Sequence, residues 1–122
     1  MNYDLLSGAD LAFVGDAYYE LCIRKYILDK GVTKLRDLHT KSVKYVSRTS
    51  QHKIINALLH ELTEEEKDIY KRGRNYDYKN KDCDYVNASG FEALIGYLYL
   101  KEQNERLDYI INKSIEIIEL GN

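Results

Sequence analysis

Ser89-Gly90-Phe91-Glu92-Ala93-Leu94-Ile95-Gly96-Tyr97-Leu98-Tyr99-Leu100-Lys101 is apolar nearly all round. A helix over about Ser89 to Lys101 therefore has no face to offer water and runs through the middle of the fold, with other helices around it. The chain has no proline, and its apolar residues recur at spacings of three and four. An all-α fold follows, with one domain over residues 1–122.

Working outward, a first helix is expected from about Gly8 to Asp29, with Leu11, Val14, Tyr18, Leu21 and Leu28 on one stripe. Asp10 serves as its N-cap or first-turn acid, and Gly31 stops it. Thr33 to Leu62 reads as one long helix or two in close succession, buried along Leu35, Leu38, Val43, Val46, Ile54, Leu58 and Leu62. Lys41, Lys44 and Arg48 then form a basic stripe on the opposite side, facing solvent or a polyanion. Thr63 and Glu66 make a capping box that opens another helix, which ends in Lys71-Arg72-Gly73-Arg74-Asn75. Residues 75–87 read as one long polar segment, and a long loop in a small domain is more often functional than idle. A last amphipathic helix, about Asn104 to Leu120, packs Leu107, Ile110, Ile111, Ile115 and Ile118 over the central one.

Composition narrows the function classes. The longest apolar stretch, Ala93 to Leu100, is far short of a membrane span. Met1-Asn2-Tyr3-Asp4 lacks the basic start and apolar core of a signal peptide, so a cytoplasmic protein is expected. Cys22 and Cys83 have no CxxC spacing, and His39, His52 and His60 form no ligand pattern, so any metal is expected on oxygen ligands. Cys22 reads as a small core residue and Cys83 as a loop thiol. The net charge of −2 is uneven: residues 34–81 hold twelve Lys/Arg against seven Asp/Glu, and the remainder six against thirteen. A basic middle between acidic flanks suits a polyanion held near carboxylates, or is ordinary solvated helix surface.

Two segments place an acid among small and apolar residues: Leu11-Ala12-Phe13-Val14-Gly15-Asp16-Ala17 and Ser89-Gly90-Phe91-Glu92-Ala93-Leu94-Ile95-Gly96. Burying such an acid is costly unless a cation neutralises it, and a divalent metal shared by Asp16 and Glu92 would do so. Other readings stay open. Ser89 and Glu92 have the spacing of a capping box, Asp16 could pair with Arg24, and Glu20 pairs with Arg24 or stands behind Asp16.

These same segments resemble the nuclease domain of the ribonuclease III family, most closely its short bacterial form, Mini-ribonuclease III, over nearly the whole chain. The resemblance implies the family's helical bundle, working as a homodimer, with Asp16 and Glu92 as catalytic metal ligands for magnesium, manganese being able to substitute. It implies cleavage of double-stranded RNA to 5′-phosphate and 3′-hydroxyl ends, with the precursor of the large-subunit (23S) ribosomal RNA as substrate. Ala12 and Ser89 stand where the larger enzymes carry two further acids, a reduction that the short form shares. Fewer carboxylates leave more of each ion's shell to water and phosphate.

No separate RNA-binding domain is expected, so this domain is expected to grip RNA alone. The candidates are Lys41, Lys44, Arg48, Arg72, Arg74, Asn75, Lys79 and Lys81. Arg72-Gly73-Arg74-Asn75 matches a run of the short form, with Gly73 allowing a sharp helix exit that aims both guanidiniums at phosphates. Tyr76, Tyr78 and Tyr85 touch RNA or pack the loop onto its own helix. Phe13 occupies the family's interface-aromatic position and reads otherwise as a plain core residue. Two further readings compete with the enzyme: an inactive ribonuclease-III-like RNA-binding module of the ribosome or its assembly, which has no need of both acids, and a helical dimerisation protein.

Overall fold

In the computed structural model, residues 1–77, 79–80 and 82–121 are described. They form a 3₁₀ turn at Tyr3–Leu5 and six α-helices: α1 (Gly8–Asp29), α2 (Leu35–Val46), α3 (Arg48–Leu58), α4 (Glu64–Asn75), α5 (Cys83–Leu100) and α6 (Asn104–Leu120). A second 3₁₀ turn, Leu59–Glu61, follows α3. No strand occurs among the described residues. The all-α expectation is met, and the bounds of α1 and α6 fall where the spacing put them.

Helix α5 is the axis. Between Val86 and Leu98 every residue is buried except Glu92. Helices α1, α3 and α4 pack around it, and α6 lies across α3 and α5. One contiguous core results, in which Phe91 of α5 meets Tyr19 of α1 edge-on at 5.0 Å. The Tyr19 hydroxyl donates to the Tyr45 carbonyl at 2.9 Å and so ties α1 to α2. All five α6 residues expected in the core are buried there. Fully burying a Leu or Ile side chain contributes about 1.5–3 kcal/mol.

What permits this packing is the absence of side chains at the helix crossings. A Cβ at Gly15 would lie 1.7 Å from the Glu92 carbonyl oxygen, and one at Gly96 would lie 2.0 Å from that of Leu11. The α1 and α5 backbones therefore touch at two points.

Several expectations need correction. In α1 the buried residues are Gly8, Leu11, Ala12, Gly15, Tyr19, Ile23 and Ile27, while Leu21 and Leu28 are exposed. Both stripes fit a helical period; the one containing Gly15 wins because only it can meet the α5 backbone. The 33–62 segment is two helices, broken at Ser47, whose extended backbone (ψ 156°) ends α2 and whose hydroxyl caps α3. The break sends Arg48 elsewhere than Lys41 and Lys44, so no continuous basic stripe exists. Leu35 and Val43 are exposed, and Ser42 and Tyr45 take the buried face of α2.

The polar segment is also shorter than expected. Asp82 accepts hydrogen bonds from the Asp84 and Tyr85 amides, so α5 starts at Cys83, and Val86 to Ala88 are buried helix rather than loop. Cys83 is thus a helical residue, although exposed, and Cys22 is only half-buried. Gly73 lies inside α4, where a Cβ would come 2.3 Å from that of Ala93. It admits α5 and is not a helix exit. The expected capping box of α4 is present, Thr63 and Glu66 each bonding the other's backbone amide. Asp10 acts at the third position of α1 in a box with Ser7.

Gly15→Ala is expected to lower unfolding free energy by about 2–3 kcal/mol or more in urea denaturation. Alanine's better helix propensity works in the opposite direction by about 1 kcal/mol. An unchanged or higher stability would mean that the α1–α5 contact is not as close as described.

Candidate active site

The Gly15 contact with the Glu92 carbonyl sets the neighbouring side chain, Asp16, beside the Glu92 carboxyl group. The two acids line one cavity of about 310 Å³, close enough for the charge of Asp16 to act on the Glu92 carboxyl group. Asp16 is exposed at its mouth and Glu92 is half-buried in its wall. The capping-box alternative for Glu92 falls away, because Ser89 is a buried residue in the interior of α5. The Asp16–Arg24 alternative falls away too, since Arg24 pairs with Glu20 at 3.0 Å.

Burial pushes the Glu92 carboxyl up to about 8, and the neighbouring Asp16 adds to the rise. Gln51 and Arg48 work against it. At neutral pH Glu92 therefore favours its protonated form unless a cation takes the proton's place. Among the described residues no group of three or more His, Cys, Asp or Glu side chains could hold a metal ion. Two carboxylates in contact fit a divalent ion whose remaining ligands are water and phosphate oxygens.

The first turn of α3 contributes two more groups. Arg48, the first residue after the Ser47 cap, places its guanidinium 4.4 Å from the centre of the Tyr85 ring, and both line the cavity. Tyr76 also lines it. One turn after Arg48, Gln51 is 3% exposed. Its Nε2 donates to the Val46 carbonyl at 3.0 Å and to Glu92 Oε2 at 3.3 Å. Its Oε1 is buried with no hydrogen-bond partner among the described residues. An unpaired buried acceptor of this kind costs about 1–3 kcal/mol.

The other expected RNA-contact residues are dispersed. Arg74 donates through Nε to Asn87 Oδ1 at 2.6 Å, and Asn87 also accepts from the Tyr70 hydroxyl and meets His52 Nδ1. Arg72 turns the other way and donates to the Asp4 and Leu6 carbonyls at 3.1 and 3.2 Å. The two guanidiniums of that run therefore do not point together, because Arg72 is committed to the N-terminal turn. Lys41 and Lys44 border a separate groove with Lys30, Tyr26 and Val32. Asn75 ends α4, and it and Lys79 are exposed. Lys81 and Tyr78 lie outside the described residues.

Phe13 is 82% exposed, which removes the core alternative. With Ala17 and Leu21, both exposed, it forms an apolar stripe at intervals of four along α1, beginning three residues before Asp16. Sequence reasoning did not single out Gln51 or Asn87. Polar residues inside amphipathic helices carry no spacing signal, and nothing short of the packed structure shows which acid or arginine each will meet.

Comparison with known proteins places the chain in a family. Residues 9–103 match the family model of the ribonuclease III domain. The chain is 42% identical to the Mini-ribonuclease 3 of Streptococcus pneumoniae, with 98% of each chain covered. It is 46% identical to that of Enterococcus faecalis, covering 94% of this chain and 92% of that protein. The crystal structure of protein FN1578 from Fusobacterium nucleatum superposes with a TM-score of 0.82 at 36% identity, covering 92% and 93% of the two chains. With acids from α1 and α5 sharing one cavity and relatives matched from end to end, the chain belongs to the ribonuclease III family of endoribonucleases and, within it, to the Mini-ribonuclease 3 group.

Proposed function

We propose that this chain is a divalent-metal-dependent endoribonuclease that cuts both strands of duplex RNA, leaving 5′-phosphate and 3′-hydroxyl ends. The observation that carries this reading is the contact between Asp16 and Glu92 in one cavity. Residues 1–122 act as one catalytic domain, in the cytoplasm, on the precursor of the large-subunit (23S) ribosomal RNA.

Asp16 and Glu92 hold the ion and are the catalytic residues. When bound, magnesium, or manganese in its stead, supplies charge to the scissile phosphate and lowers the pKa of the attacking water. Arg48, steadied over Tyr85, offers its guanidinium to that phosphate from the same cavity. Arg74, Asn75, Lys79 and Lys81 extend the grip along the α4–α5 connection, and Lys41 and Lys44 contact phosphates further out. Such contacts read A-form shape rather than base sequence. Arg72 is better assigned to holding the N-terminal turn than to RNA.

A duplex has two scissile strands and each chain one acid pair, so two copies related by a two-fold axis make the working enzyme. The Phe13, Ala17 and Leu21 stripe is the surface we assign to that contact. The inactive-module reading gives no reason for two acids to line one cavity that also holds an arginine.

Asp16→Asn and Glu92→Gln should each abolish cleavage of a long RNA duplex in magnesium, with circular dichroism and oligomeric state unchanged. Full activity in either variant would end the assignment. Phe13→Asp should weaken self-association in sedimentation by about 30-fold or more, the roughly 2 kcal/mol of a central aromatic anchor.

Stability should also depend on pH. Glu92 binds its proton more tightly folded, up to about 8, than unfolded, about 4.3. The stabilisation this gives is full below the unfolded value and is lost as pH rises through the folded one. Melting temperatures of metal-free protein should therefore fall between pH 5 and 8, with millimolar magnesium offsetting the fall at pH 8. Glu92→Gln should flatten the profile; an equally steep profile in that variant would assign the effect to another group.

A further inference from the structure

Gln51 sits where three helices meet the acid pair. Val46 is the last residue of α2, and its carbonyl lies beyond that helix's own hydrogen bonds. Glu92 Oε2 lies on the other side of the Gln51 amide. Both are acceptors, so only the nitrogen end of the amide can face them, and the amide oxygen is left buried and unpaired. An aliphatic side chain of the same volume would remove that unmet oxygen but would leave the Val46 carbonyl and Glu92 Oε2 without their donor. The donation to Val46 serves the fold, and the donation to Glu92 Oε2 serves the acid pair.

We propose that Gln51 is a positioning residue for the cation site. By donating to Oε2 it fixes the Glu92 side chain to the end of α2, leaving Oε1 for the ion shared with Asp16. The inference rests on the reading of Asp16 and Glu92 as metal ligands. A carboxylate otherwise free to rotate, next to a second one that repels it when both ionise, needs one oxygen tethered if the other is to stay in place. Partners that orient metal ligands in this way are worth about 10- to 100-fold in metal affinity.

The test uses the full chain freed of metal, titrated with Mn²⁺ alone and followed by electron paramagnetic resonance. Gln51→Met and Gln51→Leu both keep much of the bulk and remove the donor. Both should weaken Mn²⁺ binding by about 10- to 100-fold. Duplex RNA binding without divalent metal should not change, and both variants should remain folded in EDTA by circular dichroism, with melting temperatures lowered only modestly by loss of the Val46 bond. Parental Mn²⁺ affinity in either folded variant would overturn the proposal. So would a loss of metal-free RNA binding that matches the loss of Mn²⁺ affinity, since the residue would then be structural. Asp16→Asn separates the two levels. If it too binds Mn²⁺ like the parent, the metal-ligand reading itself fails; if it alone loses Mn²⁺, only the role of Gln51 falls.

Discussion

The backbones of α1 and α5 touch at Gly15 and Gly96, and the rest of the molecule is arranged around that contact. Ordinary helix pairs stand 8–10 Å apart because side chains fill the space between them. Here glycine removes the side chain on each helix where the other's carbonyl arrives. The consequence reaches the site directly, because the residue after Gly15 is Asp16 and the carbonyl it meets belongs to Glu92. Packing and chemistry are set by the same few atoms, and α3 and α4 close around α5 on its remaining sides.

That closeness creates an electrostatic problem which the protein leaves unsolved by itself. Two carboxyl groups in contact, one of them half-buried, cannot both ionise cheaply. Among the described residues no lysine or arginine bridges them: Arg24 is taken by Glu20, and Arg48, which lines the same cavity, is stacked on Tyr85. Gln51 offers a neutral donor, which orients Glu92 without cancelling its charge. A site that spends stability on a repulsive pair and withholds a protein counter-ion is suited to a ligand that brings positive charge with it.

Much of this was legible in the residues. The all-round apolar character of the stretch from Ser89 onward identified the central helix, the Thr63–Glu66 box opened α4 where expected, and the spacing of Leu107 to Ile118 named the buried face of α6. Asp16 and Glu92 were found because acids amid apolar residues are unusual enough to need a reason. What could not be read were choices between equally periodic alternatives. Leu11-Val14-Tyr18-Leu21 and Leu11-Gly15-Tyr19-Ile23 both fit a helix, and only the partner surface of α5 decides between them. Arg72 and Arg74 look equivalent in sequence, yet α4 points one at the N-terminal turn and the other at Asn87. The extra turns of α5 depended on the cap at Asp82, which sits inside a polar run that reads as loop.

The central claim is that one oxygen from Asp16 and one from Glu92 converge on a common divalent ion. Anomalous diffraction from crystals grown with Mn²⁺ tests it most directly. The account predicts a peak in the cavity beside Ser89, about 2.0–2.3 Å from an oxygen of each acid. A peak bound to only one of them, or none in that cavity at saturating Mn²⁺, would contradict it.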